Sequence, residues 1–331
     1  MANSIEQRVV ITDSAGLLAP GIELLRSRGV TVNVLPEGTD PAGIAAVVAD
    51  APAAIVGVRP MRAPEIATLR ATGLLIRAGI GYDIIDVAAA TEQGIWVANV
   101  PDYCVDEVAD HTVLLLMSAW RRLFEMEKVW HAGKWVNPPI TPPVHRTRGR
   151  RLGVVGFGRI GRAVAARALG FGWDVVAYDP LLSGAQVQAA GATPVGLDEL
   201  FATSDAVTLH SPLTPETRHL VSADRLTTVK EGFVLVNTSR GGLIDIDALD
   251  AALESGRVAA VGLDVLEDEP APDLSRPIFA RPNVLLTPHL AWYSIEARVD
   301  LALYAAEEAY RYISGERPKN IVNPDARQSP G

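Results

Sequence analysis

Short apolar, β-branched runs alternate along this chain with amphipathic stretches of helical length. The first series falls at residues 8–12, 30–35, 53–58, 74–77 and 95–99, and a second at 151–155, 173–178, 206–209, 233–236, 259–263 and 284–286. Runs that are apolar on both faces, spaced by helices, predict parallel sheets covered on each side. Two such series predict two α/β units. Between them, Val108, Leu115, Ala119, Leu123 and Met126 recur at helical spacing and predict one long bridging helix from about 105 to 130. A last helix, about 294–314, follows the final strand with no strand left to connect, so it is expected to return to the first unit. The chain would then cross between units near 99–101 and 287–288, with a cleft and hinge there. The expected domains are a discontinuous unit, 1–100 with 290–331, and a second unit, 101–289. The fold class is α/β, with two Rossmann-like, doubly wound parallel sheets.

Length supports this division, since 331 residues suit two cores of ordinary size. No apolar run approaches the ~18 uncharged residues of a membrane span. The N-terminal Met1-Ala-Asn-Ser-Ile-Glu-Gln-Arg8 has no signal-peptide core, and a single cysteine, Cys104, cannot form an internal disulfide. A cytoplasmic protein is expected. A formal net charge of −9 disfavours nucleic acid and anionic membranes as partners. The densest basic cluster, His145-Arg-Thr-Arg-Gly-Arg-Arg151, adjoins the Pro-rich Asn137-Pro-Pro-Ile-Thr-Pro-Pro143 and predicts a solvated surface connection.

Gly156-Phe-Gly-Arg-Ile-Gly161 follows one predicted strand directly and opens a helix. Gly156 permits a tight turn, Gly158 lets backbone approach a pyrophosphate, and Gly161 lets helix and strand pack closely, with Arg159 and Ile160 at the helix start. The next strand ends at Asp179, eighteen positions beyond Gly161, where a carboxylate can accept hydrogen bonds from the adenosine ribose. Asp179 would repel a 2′-phosphate, and Pro180-Leu-Leu-Ser183 offers no arginine, so NAD is favoured over NADP. His210, Pro212, Thr217 and Thr238 follow strands on the same sheet edge, and Thr112 on the bridging helix completes the candidate cofactor contacts. No metal site is expected.

Three further residues follow strands of the second unit: Arg240 in Asn237-Thr-Ser-Arg-Gly-Gly242, Glu269 in Asp264-Val-Leu-Glu-Asp-Glu-Pro270, and His289 in Thr287-Pro-His-Leu-Ala291. A guanidinium can hold a carboxylate and polarise a ketone, an imidazolium can supply a proton, and a carboxylate can favour the charged imidazole. Beside a nucleotide loop, these are the parts needed for hydride reduction of a 2-oxo acid.

Taken in order along almost the whole chain, these motifs resemble the D-2-hydroxyacid dehydrogenases. Arg77-Ala-Gly-Ile-Gly-Tyr-Asp83, Asn99-Val-Pro101, Tyr178-Asp-Pro-Leu-Leu-Ser183, Ala291-Trp-Tyr-Ser294 and Ile313-Ser-Gly315 are most similar to the branch containing the C-terminal binding proteins. The chain departs from that branch at Val58-Arg59 and Ile80. The resemblance implies that Arg240 binds substrate, His289 is the acid/base, Glu269 orients it, and Asp264 contacts the nicotinamide carboxamide. It further implies that the Arg77, Ala78 and Gly79 segment leads into a loop whose backbone N–H groups receive the substrate carboxylate, that Trp292 lines the substrate site, and that the protein is a homodimer.

The expected substrate is a small anionic 2-oxo or 2-hydroxy acid. Arg59 or Arg77 could read a second anionic group such as a carboxylate or phosphonate. Two other readings remain open: an NAD(H)-responsive dimeric binding scaffold, and a phosphite-type dehydrogenase using the same cofactor loop.

Overall fold

The computed structural model describes residues 7–14, 16–135 and 143–326. The Pro-rich expectation at 137–143 lies outside these residues except for Pro143, and most of the N-terminal segment also lies outside them. The basic stretch from His145 onward is largely exposed, as a solvated connection requires.

In the first unit, β1 (Arg8–Ile11), β2 (Thr31–Val34), β3 (Ala53–Val56), β4 (Leu74–Arg77) and β5 (Trp96–Ala98) form one parallel sheet in the order β2-β1-β3-β4-β5. Every residue of β3 is buried, so its uninterrupted apolar run serves both faces of a covered strand. The helix Ile295–Ile313 packs on Ala19–Ser27 and against β3 and β4. Ser294 caps its start by accepting from the Ala297 N–H at 2.8 Å.

The second unit carries β6 (Arg151–Val155), β7 (Asp174–Tyr178), β8 (Thr193–Pro194), β9 (Ala206–Leu209), β10 (Phe233–Asn237), β11 (Val258–Leu263) and β12 (Val284–Leu286). These are parallel throughout, in the order β12-β11-β10-β9-β6-β7-β8. Strand order reverses between β6 and β9, the switch point outside whose carboxyl ends doubly wound sheets bind ligands. The α/β class with two parallel sheets is therefore borne out. The unanticipated β8 has two residues, and its proline is tolerated because the strand lies at the sheet edge.

The bridging helix needs correction. It runs Val105–Trp120, breaks, and resumes as Leu123–His131. Arg122 at the break adopts φ 56° and forms a two-pronged ion pair with Glu125, its Nη2 donating at 2.9 Å. The break rotates the apolar stripe: Phe124 is buried, while Leu123, expected in the core, is 55% exposed.

The chain divides into two compact units, Met1–Cys104 with Tyr293–Gly331, and Val105–Trp292. Residues 101–104, placed with the second unit from sequence, fall in the first, and residues 290–292, placed with the first, fall in the second. The Leu290 and Ala291 N–H groups donate to Asp264 at 3.0 and 2.9 Å, fastening this segment beyond β11.

Candidate active site

Arg240, Glu269 and His289 stand on loops following β10, β11 and β12, three neighbouring strands of one sheet. Asn237, the last residue of β10, shapes the first loop: its amide donates to the Arg240 carbonyl at 2.8 Å and accepts from the Ser239 N–H at 3.0 Å. Ser239 donates to the Ser211 carbonyl at 2.6 Å, tying this loop to the one after β9. Gly241 then passes against the next loop with no room to spare, for a Cβ there would stand 2.0 Å from the Leu266 carbonyl carbon and 2.2 Å from the Glu267 nitrogen. That approach brings the Arg240 segment beside the Glu269 segment.

Glu269 accepts from the Leu266 N–H at 2.7 Å through one carboxylate oxygen and meets His289 Nδ1 at 2.5 Å through the other. Partial burial alone would raise its pKa. The hydrogen bond and charge of His289, the Leu266 N–H and the nearby charge of Arg240 outweigh burial, holding the carboxyl below the usual range. With Nδ1 committed to Glu269, the imidazole has Nε2 left, and among the described residues nothing bonds it. The His289 side chain is 45% exposed, so a small solute can reach that nitrogen.

His289 is held in a left-handed backbone conformation, φ 53°, by its N–H, which donates to the Asp264 and Thr287 carbonyls at 2.8 and 3.0 Å. The buried Asp264 carboxylate accepts from the Thr287 hydroxyl at 2.5 Å as well as from Leu290 and Ala291. His111 Nε2 meets the same Thr287 hydroxyl at 3.0 Å. Both Asp264 oxygens are thus engaged with the histidine loop.

At the nucleotide loop, Gly156 has φ 85°, and a Cβ there would lie 2.6 Å from the His210 carbonyl carbon. A Cβ at Gly161 would meet the Gly156 carbonyl oxygen at 2.2 Å. Gly158 is different: a Cβ would touch nothing within 4 Å. The Asp179 carboxylate accepts from the Phe157 N–H at 2.8 Å and the Leu181 N–H at 2.9 Å, presenting it beside the loop.

The second unit carries the comparison that decides the family: residues 113–291 match the model of the D-isomer-specific 2-hydroxyacid dehydrogenase NAD-binding domain. The chain belongs to the D-isomer-specific 2-hydroxyacid dehydrogenases. A glyoxylate reductase of Korarchaeum cryptofilum is 42% identical over 246 residues, 74% of each chain. Among solved structures, a glyoxylate reductase from Paecilomyes thermophila is similar with TM-score 0.87 and 32% identity, covering 96% of this chain and 98% of that one. D-lactate dehydrogenase from Aquifex aeolicus, complexed with NAD and lactic acid, gives TM-score 0.84 and 26% identity, covering 95% and 98%. The protein is an NAD-dependent oxidoreductase of the 2-hydroxyacid/2-oxo acid class.

The nucleotide loop of this dehydrogenase fits the dinucleotide. The open space at Gly158, the uncapped start of the helix Arg159–Gly170 and the acidic end of β7 leave room and donors for a pyrophosphate and an acceptor for a ribose. Around it, His210 bonds the Thr208 hydroxyl at 3.0 Å, and burial of its ring lowers its pKa to about 3 although the residue keeps some exposed surface. The ring is therefore neutral. Thr217 donates to the Pro212 carbonyl at 2.7 Å and accepts from the Thr214 N–H at 2.8 Å, closing its loop. Thr112 differs from its sequence assignment: it is fully buried and donates to the Val108 carbonyl at 2.7 Å, leaving its oxygen to bond the Thr238 hydroxyl at 2.8 Å. Its hydroxyl steadies Thr238 instead of facing a ligand.

In the first unit, Arg59 and Arg77 are held differently. The buried Asp13 accepts from the Val58 and Arg59 N–H groups at 2.8 and 3.1 Å, fixing the loop after β3, while the Arg59 guanidinium has no partner among the described residues. Arg77 bends over its own loop, donating to the Ala78 carbonyl and lying against Gly79. Trp292 is half-buried. Sequence reasoning missed Gly241, Asp13, His111 and Thr287. Only the adjacency of Gly241 to Arg240 offered a signal, since the others act through pairings distant in sequence. Among the described residues, no helix is long and apolar enough to cross a membrane, and no group of His, Cys, Asp or Glu is placed to hold a metal.

Proposed function

We propose that this enzyme reduces a small 2-oxo acid, with glyoxylate and close analogues the first candidates, to the corresponding D-2-hydroxy acid, and catalyses the reverse oxidation. The observation that carries the reading is the Glu269 contact to His289 Nδ1, which leaves Nε2 as the nitrogen able to exchange a proton with a substrate. Bound NADH supplies the hydride. Arg240 draws the acid into place and stabilises negative charge growing on the keto oxygen, while His289 delivers its Nε2 proton to that oxygen. Glu269, kept ionised by its surroundings, holds the imidazole ring in one orientation through Nδ1. Asp264 sets the loop that carries the histidine. The loop beginning at Gly79 receives the substrate carboxylate through backbone N–H groups, and Trp292 lines the substrate site.

The unpartnered Arg59, on a loop fixed by Asp13, supports a second anionic group on the preferred acid. Arg77, turned onto Ala78, supports its own loop. Exposed Leu114, Leu123, Trp130 and Trp135 on and after the first two helices of the second unit support a homodimer. Net charge and the single cysteine support a cytoplasmic location. Local likeness to the C-terminal binding proteins would make a scaffold role compatible with turnover.

The test is NADH oxidation by the purified protein with glyoxylate, pyruvate and four- and five-carbon dicarboxylic 2-oxo acids, alongside NAD reduction with phosphite. Turnover of an acid, abolished in Arg240→Ala and His289→Ala, supports the reading. Turnover only with phosphite, or cofactor binding without turnover, overturns it. A dicarboxylic preference that disappears in Arg59→Ala supports the second anion, and equal losses for every acid remove it.

A further inference from the structure

We propose that Asn99 aims the carboxylate-binding peptides of the Gly79-Ile80-Gly81 loop, and that the segment around Asn320, pinned by the buried carboxylate of Glu308, holds Asn99 to that task. The inference rests on the substrate-binding reading of this loop and adds what orients it.

A trans peptide carries its carbonyl and N–H on opposite sides, so fixing one direction fixes the other. In the first unit the Val100 N–H donates to the Gly79 carbonyl at 3.0 Å, and the Asn99 side-chain amide donates to the Ile80 carbonyl at 2.7 Å. These two bonds engage the acceptors of consecutive peptides. The Ile80 and Gly81 N–H groups belonging to those peptides must face away from Asn99, and among the described residues neither has an acceptor. Both residues keep some solvent exposure, and the Arg77 guanidinium lies against the same loop, where a Gly79 Cβ would meet it at 2.8 Å. Two adjacent free donors beside a guanidinium make an anion receptor.

Asn99 is itself only 8% exposed, and its own N–H donates to the Asn320 carbonyl at 3.2 Å. Glu308, 4% exposed on the last helix, accepts from the Asn320 side chain at 2.9 Å and from the Lys319 N–H at 2.8 Å. Beyond them Val322 donates to the Val97 carbonyl at 2.8 Å, and Asn323 accepts from the Val97 N–H at 2.7 Å. The segment after the last helix is thus laced to β5, whose last residue, Ala98, immediately precedes Asn99. Asn99 and Glu308 are positioning residues that act through the loop peptides.

The experiment compares a 2-oxo acid with its methyl ester in wild type, Asn99→Ala, Asn99→Asp and Glu308→Gln, measuring KM, kcat, NADH affinity and melting temperature. Both Asn99 variants remove the donor to Ile80. The expected result is a KM for the acid raised about tenfold, with kcat and NADH affinity changed less than about threefold, and a preference for acid over ester reduced by the same factor. Glu308→Gln keeps one acceptor and should move the same ratio less. A folded Asn99 variant that keeps the wild-type preference overturns the inference while leaving the proposed function standing. Equal losses with acid and ester, accompanied by a lower melting temperature, would show a merely structural role and also overturn it. Wild type without acid turnover removes the proposed function and this inference together.

Discussion

Replacing Gly241 with alanine should separate two catalytic loops without deleting any catalytic group. The added Cβ would fall 2.0 Å from the carbonyl carbon of Leu266, 2.2 Å from the nitrogen of Glu267 and 2.4 Å from the Leu266 oxygen. Restoring ordinary contact at 3.4 Å requires the segments to part by about 1.4 Å, and because the atoms met are backbone, no side-chain rotation relieves it. The displaced segments carry Arg240 on one side and Glu269, with its hold on His289, on the other. A misplacement of ~1 Å in such an arrangement can lower turnover ~10²-fold, while overpacking typically destabilises by about 1–3 kcal/mol. Steady-state kcat with glyoxylate, NADH binding by fluorescence, and a melting curve separate these effects. We expect kcat to fall about a hundredfold with NADH affinity within about threefold of wild type, because the Gly156–Gly161 loop is untouched. A folded Gly241→Ala protein with wild-type kcat would refute the argument that this close approach sets the catalytic geometry.

Other substitutions read separate parts of the site. His289→Asn should lower reduction by ~10²–10⁴ while leaving NADH affinity nearly unchanged, checked by steady-state rates and titration. Because the folded pKa of Glu269 is depressed, its carboxylate remains ionised above the unfolded value and its stabilising pairing is lost only as pH falls through the lowered folded value. The wild-type reduction rate should therefore persist into the ordinary carboxylate range on the acid side, whereas Glu269→Gln should lose rate at every pH, as pH–rate profiles would reveal. Gly158→Ala should weaken NADH binding yet leave the melting temperature of the cofactor-free protein unchanged, whereas Gly161→Ala should lower both, because only the latter Cβ meets protein atoms. Asp179→Ala should narrow the preference for NADH over NADPH, measured as a ratio of kcat/KM.

Much of the scaffold is legible because covered parallel strands leave an unambiguous signature: 74–77, 151–155, 206–209 and 284–286 coincide with strands residue for residue. The glycine loop is equally readable, since Gly156 has a positive φ and Gly161 is required by a contact within a single strand–turn–helix unit, although the His210 backbone that also crowds Gly156 comes from the loop after β9. The break at Arg122 is not, for neither glycine nor proline marks it, and Glu125 merely permits an ion pair that secures the turned backbone. Thr112 shows the complementary difficulty. A hydroxyl on a helix beside a nucleotide domain looks available until Val108 and Thr238 are seen to occupy it. Likewise, sequence order says nothing of how Asp264 divides its oxygens among Thr287, Leu290 and Ala291, because that pattern arises only when the loops after two strands are brought side by side.

The three-residue β12 forms one edge of its sheet and, among the described residues, pairs only with β11. Such a margin exchanges with water sooner than the interior does. Mild heating should consequently silence the enzyme reversibly at temperatures where most of its amides remain protected, because the proton donor travels with a strand at the sheet margin.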